Sequence, residues 1–269
     1  MREAAERLAT SSDTPRLDAE VLMAHALGVS RSDLLLRHMA GTAPSEFAPL
    51  IERRARHEPV AYITGIQAFF GLELAVTSDV LIPRGDSEVL VERAVAARPD
   101  ARSVLDCGTG SGALLLAVLA QLPEAQGTGI DASLAALSVA RINARRLNMD
   151  RAGFHRRDWR EPGWADGLGL YDLILANPPY VEEAAGLAPS VRHFEPAGAL
   201  FSGPDGLDDY RILIPQLPGL LAPGGLAFVE IGHTQADAVT AIAASVGLSA
   251  ALHNDLAGRP RVLELARKV

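Results

Sequence analysis

Apolar residues recur at helical spacing in the first part of the chain and in short strand-like runs through the rest. Leu17, Val21, Leu22 and Leu27 share one helical face, and Gly28 follows as a stop. Pro44-Ser45 opens another helix with Phe47, Leu50, Ile51 and Ala55 on one side, ending before Pro59. The spacing predicts a small helical bundle over residues 1–58. From Val60 to Ile82 the texture changes. Ala61-Tyr62-Ile63 and Leu72-Glu73-Leu74-Ala75-Val76 read as short strands, with Gly65 and Gly71 as turn residues, so 59–83 are expected to form a hairpin-like linker.

Beyond residue 84, strands and helices alternate. Ser103–Asp106 is a short apolar strand, followed by a glycine-rich loop and a helical run from Ala113 to Leu122. Gly127–Asp131 is a second strand and Ser133–Asn148 a helix. Gly153–Arg157 is a weak third strand, Tyr171–Ala176 a clearly apolar fourth, and Leu226–Ile231 a fifth. Thr234–Val246 reads as a helix, and Leu248–Asn254 and Arg261–Ala266 as two final strands. The six residues Asp255 to Pro260 are too few for a crossover helix, so those two strands should be antiparallel. Alternating β and α elements predict a mostly parallel sheet covered by helices on both faces, an α/β fold over residues 84–269.

Composition narrows the function. With 25 Lys+Arg against 33 Asp+Glu the chain is net acidic at −8, which argues against a dedicated duplex-DNA binder. Its single cysteine, Cys107, excludes an internal disulfide and a Cys-rich zinc module, and reads better as a small buried hydrophobe than as a nucleophile. His25, His38 and His57 have no partner at metal-ligand spacing, so no metal is expected. The start of the chain lacks the apolar core of a signal peptide. The longest apolar run, Ala113–Ala120, is far short of the ~20 residues of a membrane span, so a cytoplasmic protein without a membrane partner is expected. A monomer is expected as well.

Two motifs carry chemistry. Asp106-Cys107-Gly108-Thr109-Gly110-Ser111-Gly112 leaves a strand and opens a helix, where glycines let a ligand approach the main chain at a helix N-terminus. Asp131 ends the next strand, where a carboxylate can accept ribose hydroxyls. Gly108-x-Gly110-x-x-Ala113 also fits a relaxed dinucleotide fingerprint, so a dehydrogenase stays open. Asp106 would repel a pyrophosphate and suits the ammonium of S-adenosylmethionine. The second motif, Asn177-Pro178-Pro179-Tyr180, follows the fourth strand. Two prolines fix the backbone and offer no N–H. The segment therefore presents carbonyl acceptors, the Asn177 amide and the flat face of Tyr180, a rigid slot for a planar NH2 group.

Together these motifs resemble class I methyltransferases acting on amino groups of planar substrates. Two branches share the second motif, the adenine-N6 DNA methyltransferases and the HemK-type release factor glutamine methyltransferases. The rest of the chain is similar to the second branch. The matching segments are Leu17-Asp18-Ala19-Glu20, Glu58-Pro59-Val60-Ala61-Tyr62-Ile63-Thr64-Gly65, Val80-Leu81-Ile82-Pro83-Arg84 and Asp158-Trp159, then Val191-Arg192-His193-Phe194-Glu195-Pro196, Asp205-Gly206-Leu207-Asp208 and Asp255-Leu256-Ala257-Gly258-Arg259. Gly85 stands where the family usually has proline and Cys107 where it has an aliphatic residue, and the Val181–His193 segment is short.

The resemblance implies a seven-stranded, Rossmann-like class I sheet behind the helical domain and hairpin linker. It implies methyl transfer from S-adenosyl-L-methionine, with S-adenosyl-L-homocysteine as product, to the side-chain amide N5 of the glutamine in the Gly-Gly-Gln loop of peptide chain release factors. Gly108, Thr109, Gly110, Ser111 and Gly112 would hold the methionine part, Asp131 the ribose, and Trp159 the adenine surroundings, with Asp158 a weaker candidate. Asn177 would touch cofactor and substrate, and Asn177, Pro178, Pro179 and Tyr180 would hold the glutamine and form the catalytic slot. Trp159 could equally be a core residue and Arg84 a surface one. Seven arginines between Arg141 and Arg160 read as a solvated face or a contact to RNA or an acidic partner; no stable nucleic-acid partner is expected. An adenine-N6 methyltransferase, a dehydrogenase and a non-enzymatic adaptor remain the rivals.

Overall fold

The computed structural model describes residues 1–268. Its chain divides into two compact units, Met1–Ile66 with Leu187–Glu195, and Gln67–Gly186 with Pro196 onward. The first unit is helical: α1 (Arg2–Leu8), α2 (Pro15–Leu27), α3 (Arg31–Asp33), a π-helical turn (Leu34–His38), α4 (Phe47–Ala55) and α5 (Val60–Thr64). Leu8, Ala19, Leu22, Leu34, Phe47, Ile51 and Ile63 form its core. Asp18 of α2 and Arg54 of α4, both buried, pair at 2.7 Å and cross-link the bundle.

One expected strand is absent. Ala61-Tyr62-Ile63 lies inside α5, not in a strand. Pro59 presets the backbone at the helix start, and burying Ile63 in the helical core outweighs the strand preference of a β-branched and an aromatic residue. The hairpin begins later, with β1 (Ile66–Phe69) and β2 (Leu72–Ala75) joined at Phe70-Gly71.

In the second unit α6 (Glu88–Ala97) precedes β3 (Ser103–Cys107), α7 (Ala113–Gln121), β4 (Gln126–Asp131), α8 (Leu134–Arg146), β5 (Ala152–Arg156), β6 (Tyr171–Ala176), β7 (Leu221–Glu230), β8 (Leu248–Asn254) and β9 (Pro260–Arg267). Short helices at Asp208–Leu213 and Ala236–Ser245 lie around β7 in sequence. The seven-stranded sheet has the order β5-β4-β3-β6-β7-β9-β8. Its first five strands are parallel, and β9 runs antiparallel to both β7 and β8, as the short last connection requires.

Strand residues alternate between two cores. Val104, Leu173, Leu175 and Phe228 pack with α6, α7 and α8 on one face. Leu105, Ile174, Ala227 and Val229 pack with Tyr210, Leu213 and Val239 on the other. Cys107 is buried in the second core, where burial pushes its thiol well above the ordinary range; it is a packing residue. From β3 the chain winds outward through β4 and β5, then returns to place β6 on the other side of β3. That reversal makes the β3–β6 boundary the switch point of the sheet, where open α/β sheets bind ligands.

Candidate active site

Both motifs open at that boundary. Cys107 and Ala176 are register partners, so the glycine loop and the Asn177–Tyr180 loop leave the sheet side by side. The glycine loop is pinned to its neighbour. Gly108 and Thr109 each donate a backbone N–H to the Ile130 carbonyl at 2.9 Å, and Thr109 donates its hydroxyl to Asp106 Oδ2 at 2.6 Å. Asn143 of α8, fully buried, donates to the carbonyls of Ser111 at 2.9 Å and Ala75 at 3.0 Å, and accepts the Ala75 N–H at 2.6 Å. This one side chain therefore joins the end of the hairpin to the glycine loop. Gly108 has φ 75°, and a Cβ there would stand 3.1 Å from the Trp159 ring. Any other residue would strain the positive φ and push the ring back by a few tenths of an ångström.

Asp131 joins two loops. Its Oδ2 accepts the Gly110 N–H and its Oδ1 the Ser133 N–H, both at 2.9 Å. Burial raises its carboxyl above the ordinary value, against the pull of those two bonds. Each oxygen keeps acceptor capacity beyond its one N–H.

A cleft of about 270 Å³ lies over these residues, lined by Gly108, Gly110, Asp131, Asp158, Trp159, Asn177 and Pro179 among others. A recess of about 60 Å³ shares Gly108, Gly110 and Asn177 with it and adds Thr109, Ser111 and Arg84. Thus the sequence-predicted residues Gly108–Ser111, Asp131, Trp159, Asn177 and Pro179, together with Arg84 and Asp158, come together. Gly112, Pro178 and Tyr180 line neither space. Gly112 is the N-cap of α7, Pro178 is buried, and Tyr180 is half-buried with its hydroxyl 3.4 Å from Glu230 Oε1. Burial, with the Glu230 charge beside it, raises the Tyr180 phenol above its usual range. Asp106 also does not reach the cleft: it is wholly buried beneath the loop, and burial lifts its carboxyl to about 7.

Trp159 is both a cleft residue and a partner of the core. Its indole N–H donates to Asp209 Oδ1 at 2.9 Å, and the Arg160 guanidinium donates to both oxygens of the same carboxylate at 2.8 Å. Ser202 completes that buried knot, donating its hydroxyl to Asp209 Oδ2 at 2.7 Å. Asp209 and Asn143 are the site-building residues the sequence reading missed. Asp209 adjoins the quoted Asp205–Asp208 segment, but nothing local marks which carboxylate turns inward.

Five of the seven arginines in the basic stretch are engaged within the fold, while Arg145 and Arg146, in the last turn of α8, are exposed. Arg141 and Arg157 donate to backbone carbonyls, Arg151 is spent on the carbonyls of Leu119, Leu122 and Ala125, and Arg156 and Arg160 pair with Glu161 and Asp209. Among the described residues there is no group of His, Cys, Asp and Glu that could hold a metal ion, and no helix is long and apolar enough to cross a membrane.

A sheet of this order, with a glycine loop and an Asn-Pro-Pro-Tyr loop at adjacent strand ends, defines a class I methyltransferase. Solved structures agree on the fold: a ribosomal protein L11 methylase from Lactobacillus delbrueckii subsp. bulgaricus matches with a TM-score of 0.52 at 21% identity, over 69% of this chain and 81% of that one. The PrmC N-terminal domain model matches residues 1–65, and the methyltransferase small domain model residues 82–199. The release factor glutamine methyltransferase of Moorella thermoacetica is 45% identical, over 96% of this chain and 94% of its own. The protein of the same name from Caulobacter vibrioides is 44% identical, over 87% and 83%. The chain belongs to the release factor glutamine methyltransferase family, and it is an enzyme.

Proposed function

We propose that this enzyme transfers a methyl group from S-adenosyl-L-methionine to the side-chain amide N5 of the glutamine in the Gly-Gly-Gln loop of a peptide chain release factor. The observation that carries the reading is the pairing of Cys107 with Ala176, which sets the glycine-rich loop beside the Asn177–Tyr180 loop, with Gly108, Gly110 and Asn177 on one cleft. The name carried by the relatives supports the choice of substrate.

The residues fit the cofactor. The bare main chain of Gly108 and Gly110 leaves room for close approach, and a Cβ at Gly108 would press on Trp159. Asp131 offers acceptors for ribose hydroxyls, and Trp159 an aromatic face for the adenine. Four acids, Asp79, Asp131, Asp158 and Asp209, line the cleft against two arginines, Arg157 and Arg160, a balance that favours a cation over a pyrophosphate. S-adenosylmethionine supplies an electrophilic methyl on a sulfonium.

The chain's task is then to make an amide nitrogen nucleophilic. Its lone pair is delocalised into the carbonyl, so orientation matters more than basicity. The Asn177 side-chain oxygen, on the cleft wall, accepts an amide N–H, holds the lone pair in one direction and stabilises positive charge as it develops; Pro178, which lines neither space, is left the role of stiffening the loop. Fixing the reactants in this way can remove up to ~7–11 kcal/mol of barrier. The surplus proton leaves to water after transfer.

The test is transfer of labelled methyl from S-adenosylmethionine to purified release factor, with unmethylated duplex DNA in parallel. We expect label on the release factor, lost when its Gly-Gly-Gln glutamine is replaced, and none on DNA. Label on DNA alone would assign the cleft to adenine.

A further inference from the structure

Between the end of β6 and Val181 the main chain contains two residues without an N–H, Pro178 and Pro179. Such a run is stiff, but it has few donors of its own by which the scaffold can hold it. Its carbonyls are placed only as well as neighbouring anchors allow. Two anchors lie just downstream: Val181 donates its N–H to the Leu200 carbonyl at 2.8 Å, and Ser202 donates to the Val181 carbonyl at 2.9 Å.

A third anchor is a side chain. Gln235, 9% exposed, donates from Nε2 to the Tyr180 carbonyl at 3.0 Å and to the Gly206 carbonyl at 3.3 Å. Its Oε1 accepts the Gly232 N–H at 3.0 Å. One carboxamide thus ties together the loop after β6, the loop after β7 and the turn that holds Gly206. That turn leaves no slack. Gly206 has φ 69°, and a Cβ there would stand 2.3 Å from the Tyr180 carbonyl oxygen and 2.8 Å from Gln235 Nε2. The Asp205–Asp208 segment therefore meets the Asn177–Tyr180 loop through backbone packing that only glycine permits. Gln235 does not line the cleft, so its effect on the chemistry must pass through the loop it holds.

We infer that Gln235 is a positioning residue for methyl transfer: its carboxamide fixes the Tyr180 carbonyl, and with it the acceptor-bearing Asn177–Tyr180 loop, against the Gly206 backbone. The inference rests on the proposed methylation of glutamine at that loop. An acceptor misplaced by ~1 Å can cost about a hundredfold in rate while leaving binding elsewhere intact.

Two variants of the full chain test it. Gln235→Glu keeps length and the acceptor for Gly232 but turns an acceptor toward two carbonyls. Gln235→Met keeps length and removes all three bonds. For both we expect kcat on the release factor to fall about ten- to hundredfold. The KM for release factor and the cofactor Kd should stay within about twofold, the pattern of an interaction realised in the transition state. Hydrogen exchange at the Val181 amide should quicken in both variants, while the Gly110 amide, held by Asp131, should exchange as before. Wild-type kcat in both variants, unchanged exchange at Val181, or a parallel loss of cofactor affinity and rate would overturn the assignment. The exchange measurement is independent of substrate. If the unaltered protein transferred no methyl to release factor, the substrate reading would fail while the exchange result still decided whether Gln235 holds the loop.

Discussion

At single positions the sharpest expectations concern Asp131 and Asn177. Asp131 holds two backbone N–H groups and faces the cleft with acceptor capacity left over. Charge-assisted hydrogen bonds contribute about 1.5–3 kcal/mol each. Asp131→Ala should therefore weaken S-adenosylmethionine at least tenfold; calorimetry that finds the wild-type Kd would remove the ribose role. Asn177 lines both the cleft and the recess and sits ahead of two buried prolines, which preserve the loop when its side chain is shortened. Asn177→Ala should lower single-turnover methyl transfer about a hundred- to thousandfold, the effect of losing a donor or acceptor aimed at developing charge. Its melting temperature should barely move. Asn177→Asp should keep or improve cofactor binding yet still impair transfer, because a negative charge beside the sulfonium stabilises the ground state more than the charge-dispersed transition state. Wild-type transfer in both variants would put the chemistry elsewhere.

At the level of elements, a buried or partly buried acid stands at or next to the carboxyl end of each of β3, β4 and β7. Asp106, Asp131 and Glu230 are all held above their ordinary values, chiefly by burial. Asp106 titrates near 3.8 when unfolded and at about 7 in the fold. Through that window the folded chain keeps a proton that the unfolded chain has released. This stability is complete below the lower value and is lost as pH rises through about 7. Carboxylates held low, such as Glu20, Asp172 and Asp205, change charge below the window and do not mask it. The cofactor-free enzyme should accordingly be more stable to urea at pH 6 than at pH 8. Asp106→Asn should flatten the difference and stabilise the protein at pH 8, by something on the order of a few kcal/mol. A flat wild-type profile between those values would show that the acid beneath the glycine loop is already ionised.

For the whole molecule, the chain divides into a helical unit and a sheet unit, and we propose that the two carry separate tasks. Gly108, Asp131, Trp159 and Asn177 all belong to the sheet unit, which has its own two cores. A glutamine side chain is too small to identify the protein that carries it, so selectivity needs surface beyond the slot. We propose that recognition belongs to the helical unit; the boundary expected at residue 58 falls short of it, because Ile63 of α5 packs in its core, so the test removes residues 1–65. Their deletion should leave cofactor affinity largely intact and reduce methylation of an intact release factor at least tenfold, the share of one good interface contact. Calorimetry alongside labelled-methyl transfer checks both halves; full activity of the truncated enzyme on the whole protein would refute this division of labour.

The two motifs, the alternation of strands and helices and the antiparallel last pair were legible in the chain because each depends on local chemistry: strand period, proline and glycine geometry, and a connection too short to cross over. The Tyr171–Ala176 and Leu248–Asn254 strands have the same limits in the structure as in the sequence reading. The Ala61–Ile63 segment went the other way, because its isolated preference for a strand is worth less than burying Ile63 among helices. The sequence could mark Asn177 and Gly108 but not that they are neighbours; that follows from the switch in strand order, which no local pattern encodes. Nor could it single out Asp209 beneath Trp159, Asn143 beneath Ser111 or Gln235 beneath Tyr180. Those polar residues read as ordinary surface until packing buries them, and burial then demands the partners that hold the site in shape.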